Sequence, residues 1–306
     1  MSDARDFADV EATIQRVRLE LYRENIQGAL ALVEAAAAAH PDPRYTSEAE
    51  GVRRRLVHVQ SREAYLAAQE AQYHGLRGRL SLRYLEKQLR VLIGRKTRTL
   101  VARRAEKDEF RLLEREVTTL RAARVLDGGA GEGGVALALA ARHPELRVEA
   151  VEASATNVRM ARRLNRFSNV AFQQGLLEEV HLRFPAASFD LVYSFAVLEH
   201  VRDVEATLRS IFTVLRPGGR FCFVVPMLEF AAKGPLPPYE PIHGYCDHVR
   251  AFTEEGLRER FGGAEDFVLE KIPAVEKSHK VPPFLIPLAH GAFFVALTAP
   301  EGSGRA

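Results

Sequence analysis

A chain of 306 residues, 47 % apolar and 27 % charged, carries enough hydrophobic material for a core without disulfide or metal staples. Its two cysteines, Cys222 in an apolar run and Cys246 in a polar one, make no disulfide framework and fit a reducing cytoplasm. The apolar stretches fall short of a membrane span and Met1-Ser-Asp-Ala-Arg-Asp6 is no signal peptide, so a soluble, cytoplasmic protein is expected, peripheral to a membrane at most.

From Asp6 to Leu120 the sequence predicts helices only. Phe7, Val10, Ile14, Val17 and Leu21 step by three and four, one face of an amphipathic helix. A second helix over 26–39 is stopped by Pro41 and Pro43. Ala29, Val33, Ala36 and Pro41 also have the spacing of the second helix of a tetratricopeptide unit, with a plain helical hairpin as the alternative. Further helices are predicted over 47–74 and 80–120, with a weak point at Gly94. Residues 1–120 are thus read as a helical N-terminal domain, possessing a tetratricopeptide-like option.

The net charge of +3 is unevenly spread. Ten basic residues against Glu86 alone make the stretch from Leu76 to Arg104 +9 and the remainder −6. The segment Arg77 to Arg104 is either a solvated helix face or a surface for an anionic membrane, a lipid-diphosphate carrier or a phosphorylated glycan. No nucleic-acid motif accompanies it, so nucleic acid is the least favoured partner.

From Arg121 strands and helices alternate, the pattern of a parallel α/β sheet. Strands are expected at 124–126, 147–152, 170–174, 189–195, 220–226, 267–275 and 292–299, with helices at 135–142, 155–167, 204–215 and 254–261. Asp203 and Thr253 have the chemistry of N-caps, and Arg216-Pro-Gly-Gly219 that of a turn. Residues 121–300 form this second domain and 301–306 a disordered tail.

The sequence is organised around Val125-Leu-Asp127-Gly-Gly129-Ala-Gly131-Glu-Gly133-Gly134: strand, glycine turn, helix. Such a turn lets a ligand touch the backbone near the outward-pointing N–H groups of a helix start. Gly129-x-Gly131-x-x-Gly134 followed by Glu152 also satisfies a dinucleotide fingerprint. Asp127 decides between them: at the strand tip it would repel a pyrophosphate and attract a sulfonium and an ammonium. The pattern therefore favours S-adenosyl-L-methionine.

Here the chain resembles the class I S-adenosylmethionine-dependent methyltransferases. The resemblance rests on the segment just quoted, on Ala150-Val-Glu152-Ala-Ser154, on Phe189-Asp-Leu-Val-Tyr-Ser-Phe195 followed by Leu198-Glu-His200-Val201, and on Leu215-Arg-Pro-Gly-Gly-Arg-Phe221. It implies a Rossmann-like seven-stranded α/β sheet whose last strand is inserted antiparallel, preceded by the all-helical N-terminal domain. It also implies a cofactor set of Asp127, Gly129, Ala130, Gly131, Gly133, Glu152, Ala153, Gly175, Leu176 and Phe195. Asp127 and the turn would hold the methionine end, Glu152 the ribose hydroxyls. At Leu176 the chain departs from the family, which commonly has an aspartate there for the adenine amino group; Gln174 or backbone atoms would have to serve instead.

An oxygen acceptor must lose its proton, and His200, after the fourth strand, is a candidate base, though the Glu199-His200 pair equally suits a structural strand-end cap. A second cluster, His243-Gly-Tyr-Cys246-Asp247-His248-Val-Arg250, reads as a substrate lid with His243 or His248 as base, as a metal site, or as a structural turn. Its spacing matches no common zinc pattern; Mg²⁺ shared by Glu199 and Asp247 stays open. The acceptor is expected to be a small hydroxylated molecule, a sugar or a lipid-linked saccharide. Two other readings stand beside it: a nicotinamide-dependent oxidoreductase, and a non-catalytic scaffold that retains the fold.

Overall fold

The computed structural model describes residues 2–22, 25–74, 95–226, 252–272 and 292–300. His243, Cys246, Asp247, His248 and the basic residues from Arg77 to Arg90 lie outside them, as does the tail 301–306.

The first three helices, α1 (Ser2–Tyr22), α2 (Ile26–Ala39) and α3 (Pro43–Gln60), close a small core of their own. The stripe predicted for α1 is the buried one: Val10, Ile14, Val17 and Leu21 face Ala29 and Val33 of α2 and Tyr45, Ala49 and Val52 of α3. Pro43 occupies the first turn of α3, where a missing N–H costs nothing, and Asp42 caps it by accepting from the Arg44 N–H. The single helix expected over 47–74 is two, because Ser61 takes an extended conformation between α3 and α4 (Arg62–His74).

The remaining described residues build a seven-stranded sheet. Its strands are β1 (Arg124–Gly128), β2 (Arg147–Glu152), β3 (Val170–Gln174), β4 (Phe189–Phe195), β5 (Leu215–Pro226), β6 (Val268–Ile272) and β7 (Ala292–Thr298). They lie in the order β3-β2-β1-β4-β5-β7-β6. β1 to β5 pair in parallel; β7 runs antiparallel between β5 and β6. The order reverses between β1 and β4, so the crevice at their carboxyl ends is where such a sheet binds its ligand.

Helices cover both faces. On one, α7 (Gly134–Arg142) and α8 (Ala155–Leu164) share a core with α5 (Arg95–Ala105) and α6 (Asp108–Leu120), so helices upstream of Arg121 also line the sheet. On the other lie α9 (Val204–Val214), α10 (Glu254–Phe261) and a 3-10 segment, Leu177–Leu182, that the sequence pattern did not reveal. Asp203 and Thr253 cap as expected, accepting from the Ala206 and Gly256 N–H groups at 2.9 and 3.0 Å.

Within the helix expected over 80–120, α5 ends at Ala105 and α6 restarts at Asp108, and the helix expected from 47 starts earlier, at Pro43; two further boundaries move for reasons the structure shows. α8 stops at Leu164 rather than 167 because Asn165 turns extended, its side chain bonded to the Val170 carbonyl and the Phe167 N–H. Arg216 to Gly219 is not a separate turn but an irregular entry into β5: Phe189 pairs with Leu215 and Leu191 with Arg220, and Gly218 takes a φ of 72°. Asp190 holds that entry, bonded to Arg216 at 2.5 Å and to the Ala123 and Arg124 N–H groups at 2.6 and 2.8 Å.

Candidate active site

Two carboxylates stand at adjacent strand tips. Asp127, next to last in β1, pairs in register with Ala150 of β2 and Tyr193 of β4. Because side chains alternate along a strand, Asp127 and Tyr193 project to the same face. Asp127 is 3 % exposed, and both its Oδ2 and the Tyr193 hydroxyl lack a partner of normal hydrogen-bond geometry. Burial pushes the Asp127 carboxyl up from 3.8 to about 7; the adjacent Tyr193 hydroxyl opposes this, Glu152 adds to it, and Arg104 of α5 opposes it from a distance. The Tyr193 phenol is pushed well above its ordinary value by burial and by the aspartate beside it.

Glu152 is equally deep and fully engaged. One oxygen accepts from the Gly131 N–H at 2.8 Å, the other from the Ser154 N–H at 2.9 Å and the Asn157 amide at 3.5 Å. Burial raises its pKa, and these three donors work against the rise. The carboxylate thus ties the tip of β2 to the glycine turn after β1.

The turn needs glycine for two different reasons. Gly129 has a φ of 93° and lies so close to Val197 that an added Cβ would meet its Cγ2 at 2.2 Å. Gly131 has a φ of 56° but open space where a Cβ would stand, the cradle a ligand touching the backbone requires. Gly129 and Ala130 both donate to the Val151 carbonyl, which fixes the turn, and Gly133 then starts α7.

At β3 the arrangement is different. Gly175 donates to the Glu152 carbonyl at 3.0 Å, and the Gln174 amide donates to the Ala153 carbonyl at 3.1 Å. Leu176 is 2 % exposed and opens the 3-10 segment. An apolar side chain, not a carboxylate, therefore occupies this position.

After β4, Phe195 is half-buried and Ala196 adopts a φ of 55°, turning the chain into Val197-Leu198-Glu199-His200. Leu198 and Glu199 are buried, His200 half-buried with its N–H on the Val197 carbonyl at 2.8 Å. Since Val197 leans on Gly129, this turn adjoins the glycine turn. Among the described residues no cluster of three His, Cys, Asp or Glu side chains forms a metal site.

The residues that sequence reasoning missed are Tyr193, Arg104, Ser154 and Asn157. Tyr193 needs the β1–β4 register to be found. Ser154 had a local signal, a serine after the strand and before a helix, and its Oγ does accept from the Asn157 N–H at 3.2 Å.

A buried aspartate with an unpartnered oxygen suits a cation, a neighbouring glutamate suits vicinal hydroxyls, and the open Gly131 backbone admits a close ligand. This donor set fits S-adenosyl-L-methionine. The comparison with known proteins agrees. Residues 126–223 match the family described as methyltransferase domain. The uncharacterized methyltransferase Rv0089 of Mycobacterium tuberculosis is 31 % identical over 153 residues, covering 42 % of this chain and 76 % of that one. The S-adenosyl-L-methionine-dependent Diels-Alderase iccD of Talaromyces variabilis is 36 % identical over 105 residues, 33 % of this chain and 35 % of its own. A ubiquinone biosynthesis O-methyltransferase of Methylocella silvestris is 36 % identical over 100 residues, 33 % of this chain and 38 % of its own. The chain thus spans little more than a third of the length of these last two. With the strand order, the two strand-tip carboxylates and the 76 % coverage of Rv0089 in agreement, the chain belongs to the class I S-adenosylmethionine-dependent methyltransferases.

Proposed function

We propose that the protein transfers a methyl group from S-adenosyl-L-methionine to a hydroxyl oxygen of a small acceptor, a sugar or lipid-linked saccharide in the first instance. The observation that carries the donor half is the carboxylate pair Asp127 and Glu152 flanking the glycine turn, one with an unpartnered buried oxygen. When bound, the cofactor supplies a methyl carbon activated by a sulfonium. Asp127 then balances the positive end, Glu152 holds the ribose hydroxyls, and the Gly129–Gly131 backbone fixes the position. Placement of this kind supplies much of the rate of an in-line displacement.

The acceptor half rests on His200 and on the relative named an O-methyltransferase. A half-buried histidine in a turn against Gly129 is suited to take the acceptor's proton. Glu199 beside it, 1 % exposed, suits the role of holding that turn. His243 and His248 remain alternative bases. A phosphorylated or membrane-bound acceptor would fit the basic stretch from Arg77 to Arg104.

The test is turnover of S-adenosyl-L-methionine to S-adenosylhomocysteine with a panel of hydroxylated acceptors, repeated on His200→Ala. The expected result is product with at least one acceptor and a rate lower by about 10² or more in the variant, at unchanged donor affinity. Donor binding without turnover on any hydroxyl would overturn the acceptor half and favour a use like that named for the Talaromyces relative. No donor binding would overturn the whole.

A further inference from the structure

We infer that α4, a helix outside the sheet's two helical layers, belongs to the cofactor site: its Glu70 positions the ribose-binding carboxylate Glu152, and its Arg62 anchors the segment after the β3 tip. The inference rests on the methyl-donor reading above and adds a residue class that neither the glycine turn nor the family match contains.

The geometry is a relay. The Glu70 carboxylate accepts from the Ser154 hydroxyl at 2.8 Å, from the Thr156 hydroxyl and from the Thr156 N–H at 3.3 Å. Arg159 faces the same group, 3.8 Å from Glu70 and 2.7 Å from the Thr156 hydroxyl. Ser154 passes the constraint on: its hydroxyl accepts from the Asn157 N–H and its own N–H donates to Glu152. Glu152 in turn holds Gly131. A continuous path of hydrogen bonds therefore runs from α4 to the glycine turn, joining residues 84 apart in sequence at its first link. Ser154 and Thr156 are 1 % and 4 % exposed, which makes charge-assisted bonds there stronger than at the surface. A carboxylate at the amino end of α8 also meets the favourable end of that helix's dipole.

The second anchor is two turns away on the same helix. Arg62 donates to Glu179 from Nε and one terminal nitrogen, at 2.7 and 3.1 Å, and this pair holds the Glu179 carboxyl below its ordinary range. Glu179 belongs to the 3-10 segment that Leu176 opens. One helix thus ends one side chain on the ribose side and another beside the adenine side. A mere tie between layers would not need both ends to fall on the loops that contact the ligand.

The experiment uses the full chain, with S-adenosylhomocysteine as the titrated probe and amide hydrogen exchange as a second readout. Glu70→Gln should weaken binding about tenfold, the size of one charged hydrogen bond transmitted in part. Glu70→Asp should recover part of it, and Ser154→Ala, which cuts the relay one step later, should weaken binding similarly. Arg62→Ala should cost about twofold, as an exposed pair, and Glu63→Gln on the same helix should cost nothing. By reciprocity, the probe should slow exchange across 62–74 in the wild type and not in Glu70→Gln. A Glu70→Gln protein with a lower Tm but wild-type affinity would make Glu70 a structural tie only and overturn the inference. A folded wild type that binds no probe would remove the methyl-donor reading first, and this one with it.

Discussion

Asp127 and Glu152 are the same chemistry at the same depth, on neighbouring strands, yet their surroundings are opposite. Glu152 has three donors on its two oxygens; Asp127 has on one oxygen only the adjacent Tyr193 hydroxyl, outside normal hydrogen-bond geometry. A buried carboxylate without its hydrogen bonds is costly, and a structure keeps one where something else completes it. Glu152 is therefore a preformed clamp, whose geometry is set before any ligand arrives. Asp127 is a deficit that a cation removes. The difference separates the two halves of the proposed cofactor site: one fixes shape, the other supplies charge complementarity.

Removing the clamp should have the larger effect. Glu152→Ala deletes the proposed acceptor for two ribose hydroxyls and also frees the Gly131 and Ser154 N–H groups, so the turn and the N-cap of α8 both loosen. Donor affinity should fall by about 10² or more, the worth of two charged hydrogen bonds. Isothermal titration with S-adenosylhomocysteine checks it, and a loss below tenfold would mean that the clamp is not the ribose site.

Removing the deficit should have a smaller and pH-dependent effect. The folded Asp127 carboxyl titrates near 7 rather than 3.8, chiefly through burial. A group raised in this way contributes stability that is complete below the unfolded value and is lost as pH rises through the folded one. Asp127→Asn should therefore be close to neutral for the ligand-free protein at pH 4 and stabilising by a few kcal/mol at pH 8. Denaturant melts across that range measure this. The cationic donor has the opposite preference, so wild-type affinity should rise with pH through about 7, with release of a proton on binding. The Asn variant should lose that dependence and bind about tenfold more weakly at pH 8. A flat wild-type profile between pH 6 and 8 would mean that Asp127 does not meet the positive end.

These two strand tips, and the strand positions around them, are written locally in the sequence. Glycines at a turn and a helix cap at Asp203 or Thr253 act over a few residues, so one segment reports them. The elements that were misjudged fall into two kinds. The continuous helix expected over 47–74 breaks at Ser61 through a local cap, its hydroxyl accepting from the Ala64 N–H at 3.1 Å, whereas the irregular entry of β5 is set by Asp190 across the sheet. Tyr193 reads as one more strand residue until register places it beside Asp127. Glu70 is further removed still: nothing in its own segment marks it as facing Ser154. The antiparallel place of β7 followed from family resemblance, not from the periodicity of its residues.

The third strand tip extends the comparison, since Leu176 stands where an acid would continue the series of Asp127 and Glu152. At 2 % exposure it is buried at the start of the 3-10 segment that carries Leu177 and Val180. Leu176→Ala should cost about 2–4 kcal/mol of stability, as a buried leucine does, with donor affinity changed by no more than about threefold. Urea melts and titration on the same sample separate the two. Equal losses in both would show that the apolar wall is itself the adenine contact. A loss in stability alone would mean that the ligand is held from the ribose and methionine sides. The weight of binding would then fall on the pair of carboxylates whose contrast organises the site.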